Sequence, residues 1–323
     1  MAATSVIVVN YNGGAFLPRC LTAALAQAPP PAEILVVDNA SEDGSADALP
    51  PGVRLLRLPR NAGFGAAVNA GLAATRAPGV LTLNPDTELL PGCLAAAAEA
   101  LERDPLLGAV ALRVLQAGAP DRLDAVGVGL TSRLGQINCG HDLPDALTEP
   151  SARTVLGPLG GAALWRRAAL ERIGPWWERY FLYWEDIDIA LRLDRAGYTC
   201  RTEPAARALH VGSGTVGRWS RRNVFYMVRN HWTCLLACLP GPVLRRRLLA
   251  FLLAPPRAAT LYAMRGRPFA ALAGLVCGAA LLPVACLRRR ELARHSTSSA
   301  AADRIAALLA SGDEDRRRMR ARA

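Results

Sequence analysis

The stretch Phe181-Leu-Tyr-Trp-Glu-Asp-Ile-Asp188 sets three carboxylates directly behind an aromatic run. Burying a carboxylate among rings is costly unless its charge is stabilised. Glu185, Asp186 and Asp188 behind Tyr180, Phe181, Tyr183 and Trp184 therefore point to a base with a tuned pKa, a cation site, or both. The plainer alternative is a helix start, with Asp186 or Asp188 at the N-terminus of a helix through Ala190–Ala196.

Other polar clusters follow apolar runs. Asn84-Pro-Asp-Thr87 ends one such run, where Asp86 can reach a cation bound to phosphates, although Asn-Pro-Asp is also a good turn sequence. Asp38 ends another, placed to accept hydrogen bonds from a nucleoside or to make an Asx turn. Asn10-Tyr11-Asn12 ends the first and offers a ring for stacking on a base. His210 leaves a strand-like run for a Gly/Ser loop and is a candidate further ligand at a phosphate–metal site, or a satisfied polar residue. The glycines of Gly63-Phe-Gly65 do not make the dinucleotide fingerprint, which argues against a dehydrogenase.

The elements that must carry these groups alternate at the rhythm of a parallel α/β sheet. Strands are expected at Ser5–Val9, Glu33–Val37, Val53–Leu58, Val80–Leu83 and Leu107–Ala111. Helices are expected at Phe16–Gln27, after Ser41-Glu-Asp-Gly, from Asn61-Ala-Gly-Phe-Gly65 to Thr75, and after Pro91. The polar clusters thus fall at the C-terminal ends of successive strands, where open α/β sheets bind ligands. Residues 113–155 read as loops and short strands. Gly157–Trp165 reads as a buried strand whose Gly160-Gly161 pair permits close backbone approach to a ligand.

Charge divides the chain. Residues 201–323 hold 22 Arg against six acids, or +16, and residues 1–200 hold 16 Arg against 21 acids, or −5. The basic part is also apolar, which suits an anionic membrane surface and not nucleic acid. Phe269–Leu287 is a 19-residue run without charge, a candidate membrane-crossing or interfacial segment, and the residues after about 293 read as a polar tail with a weak helix near Ile305–Leu309. A helical cap on the first domain is the alternative for the basic part. The eight scattered cysteines form no CxxC pair and read as buried free thiols. Met1-Ala-Ala-Thr-Ser leads straight into a strand, without the pattern of a signal peptide.

Taken in order, six motifs resemble the GT-A inverting glycosyltransferases of family 2, and within them the rhamnosyltransferase-like branch. They are Val-Val-Asn-Tyr-Asn-Gly at 8–13, Val-Val-Asp-Asn-Ala-Ser at 36–41, Asn-Ala-Gly-Phe-Gly at 61–65, Leu-Asn-Pro-Asp-Thr at 83–87, the aromatic-acid stretch at 181–188, and His210 with Arg229-Asn230 beyond. The resemblance implies a Rossmann-like, mostly parallel sheet flanked by helices in residues 1–215, a helical membrane-associating region in 216–292 and a tail in 293–323. It implies that Asn10, Tyr11, Asp38, Asn61 and the Gly63 backbone hold the nucleoside. Asp86, with His210, would hold Mg²⁺ or Mn²⁺ on the diphosphate. Asn84 replaces the first acid of the family's Asp-x-Asp motif. Asp186 matches the general base and Glu185 an acceptor-positioning neighbour. The implied reaction takes a sugar, first of all rhamnose from dTDP-rhamnose, to a hydroxyl of a glycan or polyprenyl-linked acceptor at the cytoplasmic face of the membrane. A nucleotidyltransferase would carry a basic Gly-rich loop after the first strand, but no basic residue precedes Arg19. The remaining alternative is a weakly catalytic nucleotide-sugar-binding scaffold of a glycan assembly complex.

Overall fold

The computed structural model describes residues 3–147, 151–212, 220–293 and 301–321. The first strands form where short apolar, β-branched runs are bounded by turn residues: β1 (Thr4–Asn10), β2 (Glu33–Asp38), β3 (Val53–Arg57) and β4 (Gly79–Leu83). They pair in parallel in the order β4-β1-β2-β3, joined by α1 (Phe16–Leu25) and α2 (Phe64–Ala74). Strands β1, β2 and β4 are buried almost throughout, as parallel strands covered on both faces must be. Their register brings Asn10 level with Asp38 at the C-terminal edge, and β4 ends beside them at Leu83, opposite Val8, with Asn84 next in the chain.

No helix follows Ser41. The segment turns instead, because its polar side chains are taken by backbone groups. Ser41 Oγ accepts from Asn12 N–H at 2.9 Å, and Asp43 accepts from Gly14 N–H at 2.8 Å and Ser45 N–H at 3.0 Å. Such local bonds compete with a helix.

Beyond β4 come β5 (Thr87–Leu89), α3 (Cys93–Arg103), β6 (Leu107–Gln116), β7 (Ala119–Ala125), β8 (Val128–Leu130), β9 (Gln136–Asn138) and β10 (Thr154–Val155). Then follow β11 (Ala162–Arg166), α4 (Arg167–Ile173), α5 (Glu185–Arg195) and β12 (Thr199–His210). The sheet of ten strands runs β10-β12-β6-β11-β4-β1-β2-β3, with β5 on β12 and β7 on β6. Strand β11 is antiparallel to both β4 and β6, whereas β12 is parallel to β6. The buried strand expected over 157–165 is confined to β11, and Gly160-Gly161 stands at its entrance.

The C-terminal part is helical: α6 (Arg221–Cys238), α7 (Gly241–Arg246), α8 (Leu248–Met264), α9 (Pro268–Ala280), α10 (Leu282–Ala293) and α11 (Ala301–Arg320). Ser220 caps α6, its Oγ accepting from Asn223 N–H at 3.2 Å. Cys234, Leu235 and Cys238 of α6 share one core with Tyr180, Trp184, Ile187 and Leu191, so this helix is built into the first unit. The expected boundary near 215, like the Gly/Ser loop from Ser213, lies outside the described residues. All eight cysteines are unpaired, and six are buried.

The uncharged 269–287 run is two helices. It breaks at Leu281 with a 52° bend, where Pro283 cannot donate the N–H that would continue α9. Among the described residues no single helix is long and apolar enough to cross a membrane.

The tail also differs from its expectation. Rather than a short weak helix, α11 is a 20-residue helix docked on the domain. Ile305 and Leu309, one turn apart, are buried in the α5–α6 core. Arg153 grips Asp315 through paired contacts of 2.9 and 3.0 Å, and Arg304 reaches Asp194 at 2.8 Å. Partners far away in sequence supply this docking, so local helix tendency could not reveal it. Burying an Ile or Leu side chain stabilises by about 1.5–3 kcal/mol. Deleting residues 301–323 is therefore expected to lower the melting temperature by roughly 5–10 °C, and an unchanged melt would mean that α11 adds nothing to stability.

Candidate active site

The loop before α5 is held in a conformation that bulky residues avoid. Phe181, Tyr183 and Trp184 have φ of 65°, 66° and 75°, each costing about 1–3 kcal/mol unless the surroundings impose it. Helix α6 imposes it. The Asn230 Nδ2 amide is shared among the carbonyls of Tyr180, Leu182 and Tyr183 at 2.9, 2.9 and 3.0 Å. The Arg229 guanidinium donates to the carbonyls of Arg179 and Tyr180. Trp184 Nε1–H donates to the Met227 carbonyl at 2.9 Å, and its ring stacks on His231. On the other side Phe64 N–H donates to the Phe181 carbonyl at 2.9 Å. Gly63, at φ +90°, lies so close that a Cβ would stand 2.3 Å from that oxygen.

This loop delivers the acids. Trp184 is the N-cap of α5, and Glu185, Asp186 and Asp188 fall in its first turn, so the helix start expected here is present although none of the acids is the cap itself. Asp186 Oδ1 accepts from Gly160 N–H at 3.0 Å, an approach that a Cβ on Gly160 would block at 2.3 Å. Burial pushes the Asp186 carboxyl up to about 7, against the Gly160 hydrogen bond that lowers it. Glu185 is buried, its Oε2 has no hydrogen-bond partner among the described residues, and burial together with the charge of Asp186 raises its pKa well above the usual range. Asp188 is engaged in the core. It pairs with Arg192 at 2.6 Å and accepts from the Tyr180 hydroxyl at 3.2 Å and the Cys238 thiol at 2.9 Å.

The glycine expected to admit a ligand thus admits a side chain, and so does its neighbour. A Cβ on Gly161 would lie 2.3 Å from the Asn84 amide, and Asn84 N–H donates to the Gly161 carbonyl at 2.9 Å. Two adjacent glycines thereby seat the Asp186 carboxylate and the Asn84-Pro-Asp86 turn side by side.

Asp86 and His210 meet because β5 pairs with β12, Thr87 opposite His210, and Val211 N–H donates to the Asp86 carbonyl at 3.1 Å. His210 Nε2 lies 3.3 Å from Asp86 Oδ1. Its Nδ1 lies 2.7 Å from Asp124 Oδ2, and Asp124 is contacted in turn by His141 at 3.3 Å. Burial opposes charge on His210, but hydrogen bonds and charges from Asp124 and Asp86 prevail and raise it to about 10. Burial opposes the Asp124 charge as well, but its two histidine partners hold that carboxyl far below the usual range. Asp124 and His141 escaped sequence reasoning. They lie on β7 and the turn after β9, and no fixed spacing connects either with His210.

Among the described residues no group of three or more His, Cys, Asp or Glu forms a complete metal cage. Asp86 and His210 could nevertheless face a divalent cation, provided the ion displaces the proton that Asp86 and Asp124 hold on His210. A carboxylate and an imidazole nitrogen face one another, and Asp124 on the far ring nitrogen orients the imidazole. One oxygen and one nitrogen ligand suit Mn²⁺ or Mg²⁺ whose other positions are taken by phosphate oxygens and water.

At the other strand ends, Asn10 Nδ2 reaches Asp38 Oδ1, Ser41 Oγ and Ser45 Oγ, each at 3.0 Å. Asn10 is fully enclosed, its Oδ1 without a partner among the described residues, and so organises the edge around Asp38. Asp38 lies 3.5 Å from Arg57. Asn61 Oδ1 accepts from Gly63 N–H at 3.0 Å, which shapes the turn into α2. The Tyr11 ring is half-buried, with the Arg222 guanidinium 5.9 Å from its centroid and 4.7 Å from that of Phe181. Arg222 was also missed, since only the fold brings the start of α6 to both rings.

The family model described as Glycosyl transferase family 2 matches residues 5–127. The chain is 31% identical over 237 residues to the N-acetylglucosaminyl-diphospho-decaprenol L-rhamnosyltransferase of Mycobacterium tuberculosis, covering 66% of this chain and 77% of that protein. It is 38% identical over 89 residues to the succinoglycan biosynthesis protein ExoO of Rhizobium meliloti, 26% of each chain. Among solved structures, the mannosyltransferase PcManGT of Pyrobaculum calidifontis, in complex with GDP-Man and Mn²⁺, superposes with a TM-score of 0.55 at 22% identity, over 97% of this chain and 87% of that one. GalNAc-T7 with UDP, GalNAc and Mn²⁺ superposes with a TM-score of 0.59 at 15% identity, over 73% of this chain and 48% of that one. These likenesses establish the fold as GT-A.

Proposed function

Because the chain belongs to glycosyl transferase family 2, we propose that it transfers a hexose from a nucleotide-sugar with inversion at the anomeric carbon. Rhamnose from dTDP-rhamnose is the first donor to test. The acceptor is a hydroxyl of a lipid-linked saccharide, at the cytoplasmic face of a membrane, in cell-wall or surface glycan synthesis. The similarity to a transferase named for a decaprenol-linked substrate supports both choices.

The observation that carries this reading is the Gly160-Gly161 pair, which seats a raised carboxylate, Asp186, beside the turn that bears Asp86. Asp186 takes the proton from the acceptor hydroxyl as its oxygen attacks the anomeric carbon. Its pKa near about 7 suits a base that must hold a proton briefly and then release it. Glu185 beside it holds its proton more tightly through burial and the charge of Asp186, and in its protonated form can donate a hydrogen bond that orients the acceptor. Tyr11, Asp38 and the Asn61–Gly63 turn hold the nucleoside, with Asn10 fixing Asp38 from behind. Asp86 and His210, the latter giving up its proton, would hold Mn²⁺ or Mg²⁺, which would neutralise the charge of the diphosphate leaving group.

A thermal-shift panel of dTDP-, UDP- and GDP-sugars, with and without Mn²⁺, tests the donor. A ligand at a hundred times its Kd adds about 2.7 kcal/mol of stability. One nucleotide is expected to raise the melting temperature, and more so with metal. No shift with any donor would overturn the reading. Product stereochemistry, read by NMR of the anomeric proton, tests inversion.

A further inference from the structure

The outer face of α9 has no polar side chain. Phe269, Leu272, Ala273, Val276, Cys277 and Ala280 recur at helical spacing and all are exposed, Phe269 by 86%. Beside it α8 exposes Leu249 by 70% and Met264 by 80%, with Leu252 and Leu261 between. A helix face of this kind needs an apolar partner. Arginines frame it: Arg245-Arg246-Arg247 lead into α8, and Arg265 and Arg267 flank the turn into α9. One more, Arg257, stands exposed within α8, where its long stem can carry the charge to phosphates. From Glu203 to Glu291 the sequence contains no other acid.

The inner face of α9 is fastened to the protein. Gly274 and Gly278 let it lie on α6 so closely that Cβ atoms there would stand 2.7 Å from the carbonyls of Phe225 and Arg229. Helix α10 then bends back, and Arg289 donates to the carbonyls of Leu236 and Leu239 at the end of α6, at 2.8 and 2.7 Å. An α9 of 13 residues is about 20 Å long, short of the ~30 Å hydrocarbon core. The segment therefore lies along the protein and returns to it.

We propose that the outer faces of α8 and α9 enter one leaflet of an anionic bilayer, with the apolar stripe among the acyl chains and the arginines at the phosphates. The surface deepens the proposed function, on whose lipid-linked acceptor it rests. A second copy of the chain is the poorer occupant, because it would set arginines against arginines with no acid on the face to pair them. Helix α6 joins this surface to the chemistry, since its Arg229 and Asn230 hold the loop that carries Glu185 and Asp186. The cleft is thereby fixed relative to the membrane from which a lipid-linked acceptor arrives.

The test uses the full chain with phosphatidylglycerol-containing and pure phosphatidylcholine vesicles in a flotation assay. Binding is expected to the anionic vesicles and to be at least tenfold weaker on the neutral ones. The double substitution Phe269→Ser and Leu272→Ser is expected to weaken vesicle binding at least tenfold while the melt and the donor-induced shift stay unchanged. Should that variant fold poorly, Arg245→Gln with Arg246→Gln and Arg247→Gln must lower binding and its salt dependence. An environment-sensitive label on the exposed Cys277, in a Cys286→Ser background, is expected to shift to the blue on anionic vesicles. Unchanged binding by the variants, a label that does not respond, or a dimer in light scattering that the same substitutions dissolve would each overturn the proposal. Tags accessible from both sides of a sealed vesicle would overturn it as well. A donor shift without vesicle binding removes this surface and leaves the transferase reading standing; vesicle binding without a donor shift does the reverse.

Discussion

Replacing Asp186 by Asn is expected to lower turnover by ~10²–10⁴-fold, the usual contribution of a positioned base, with donor binding retained. The amide can still accept the Gly160 N–H bond, so the loop keeps its place, but it cannot accept the acceptor's proton. In the unsubstituted protein turnover should rise with pH as Asp186 loses its proton, with a midpoint near about 7. The stability effect has the opposite sense to the activity effect. The folded state raises the Asp186 pKa, so it binds the proton more tightly than the unfolded chain does. Stability is therefore lost as pH rises from the unfolded value near 3.8 through about 7, and the cost is complete above that. The Asn variant avoids this cost and should melt no lower than the parent at pH 8, whereas at pH 4 the two should be alike. Near-parental turnover in Asp186→Asn, or a pH profile flat from 5 to 8, would remove Asp186 as the base.

A second large effect is expected far from the reacting atoms. Asn230→Leu keeps the bulk of a side chain but removes the amide that holds three carbonyls of the Tyr180–Tyr183 loop. Those buried acceptors lose a partner, and the positive φ of Phe181, Tyr183 and Trp184 loses its support. A loss of about 2–4 kcal/mol is expected, seen as a fall of roughly 5–10 °C in melting temperature. Turnover should fall at least tenfold, since Glu185 and Asp186 leave the loop directly. The donor-induced thermal shift should survive, because Tyr11 directly follows β1 and Asp38 ends β2, and neither bonds to Asn230. If turnover held while stability fell, the loop would keep its shape without Asn230, and the positioning role would be wrong.

Some of this was legible in the chain before any coordinates. Short β-branched runs ending in Asn10, Asp38 and Asn84 predict parallel strands whose polar ends share an edge, and β1, β2 and β4 lie there. Hydrophobic period and turn chemistry are local, and local signals survive in sequence. The Trp-Glu-Asp cluster stood out for the same reason, because carboxylates behind rings conflict with packing unless they have a task. Local reading also went astray where side chains compete with backbone bonds: Ser41-Glu-Asp-Gly44 reads as a helix start but closes a turn.

What the sequence determined by itself, then, is the strand edge, the family motifs in their order, and the basic, apolar C-terminal region. The tertiary structure decided which acids are available and what surrounds them. Asp188 belongs to the core because Arg192 and Tyr180 reach it, while Asp186 turns to the Gly160 N–H and Glu185 keeps an oxygen without a partner among the described residues. Asp124 and His141 join His210 only because β7 folds back on β6 beside β12. Helix α11 docks because Arg153 and Asp194 await it from remote strands and helices. Each of these depends on contacts between residues far apart in the chain, and neither spacing nor composition encodes such distances; only the assembled sheet and the helices packed on it set them.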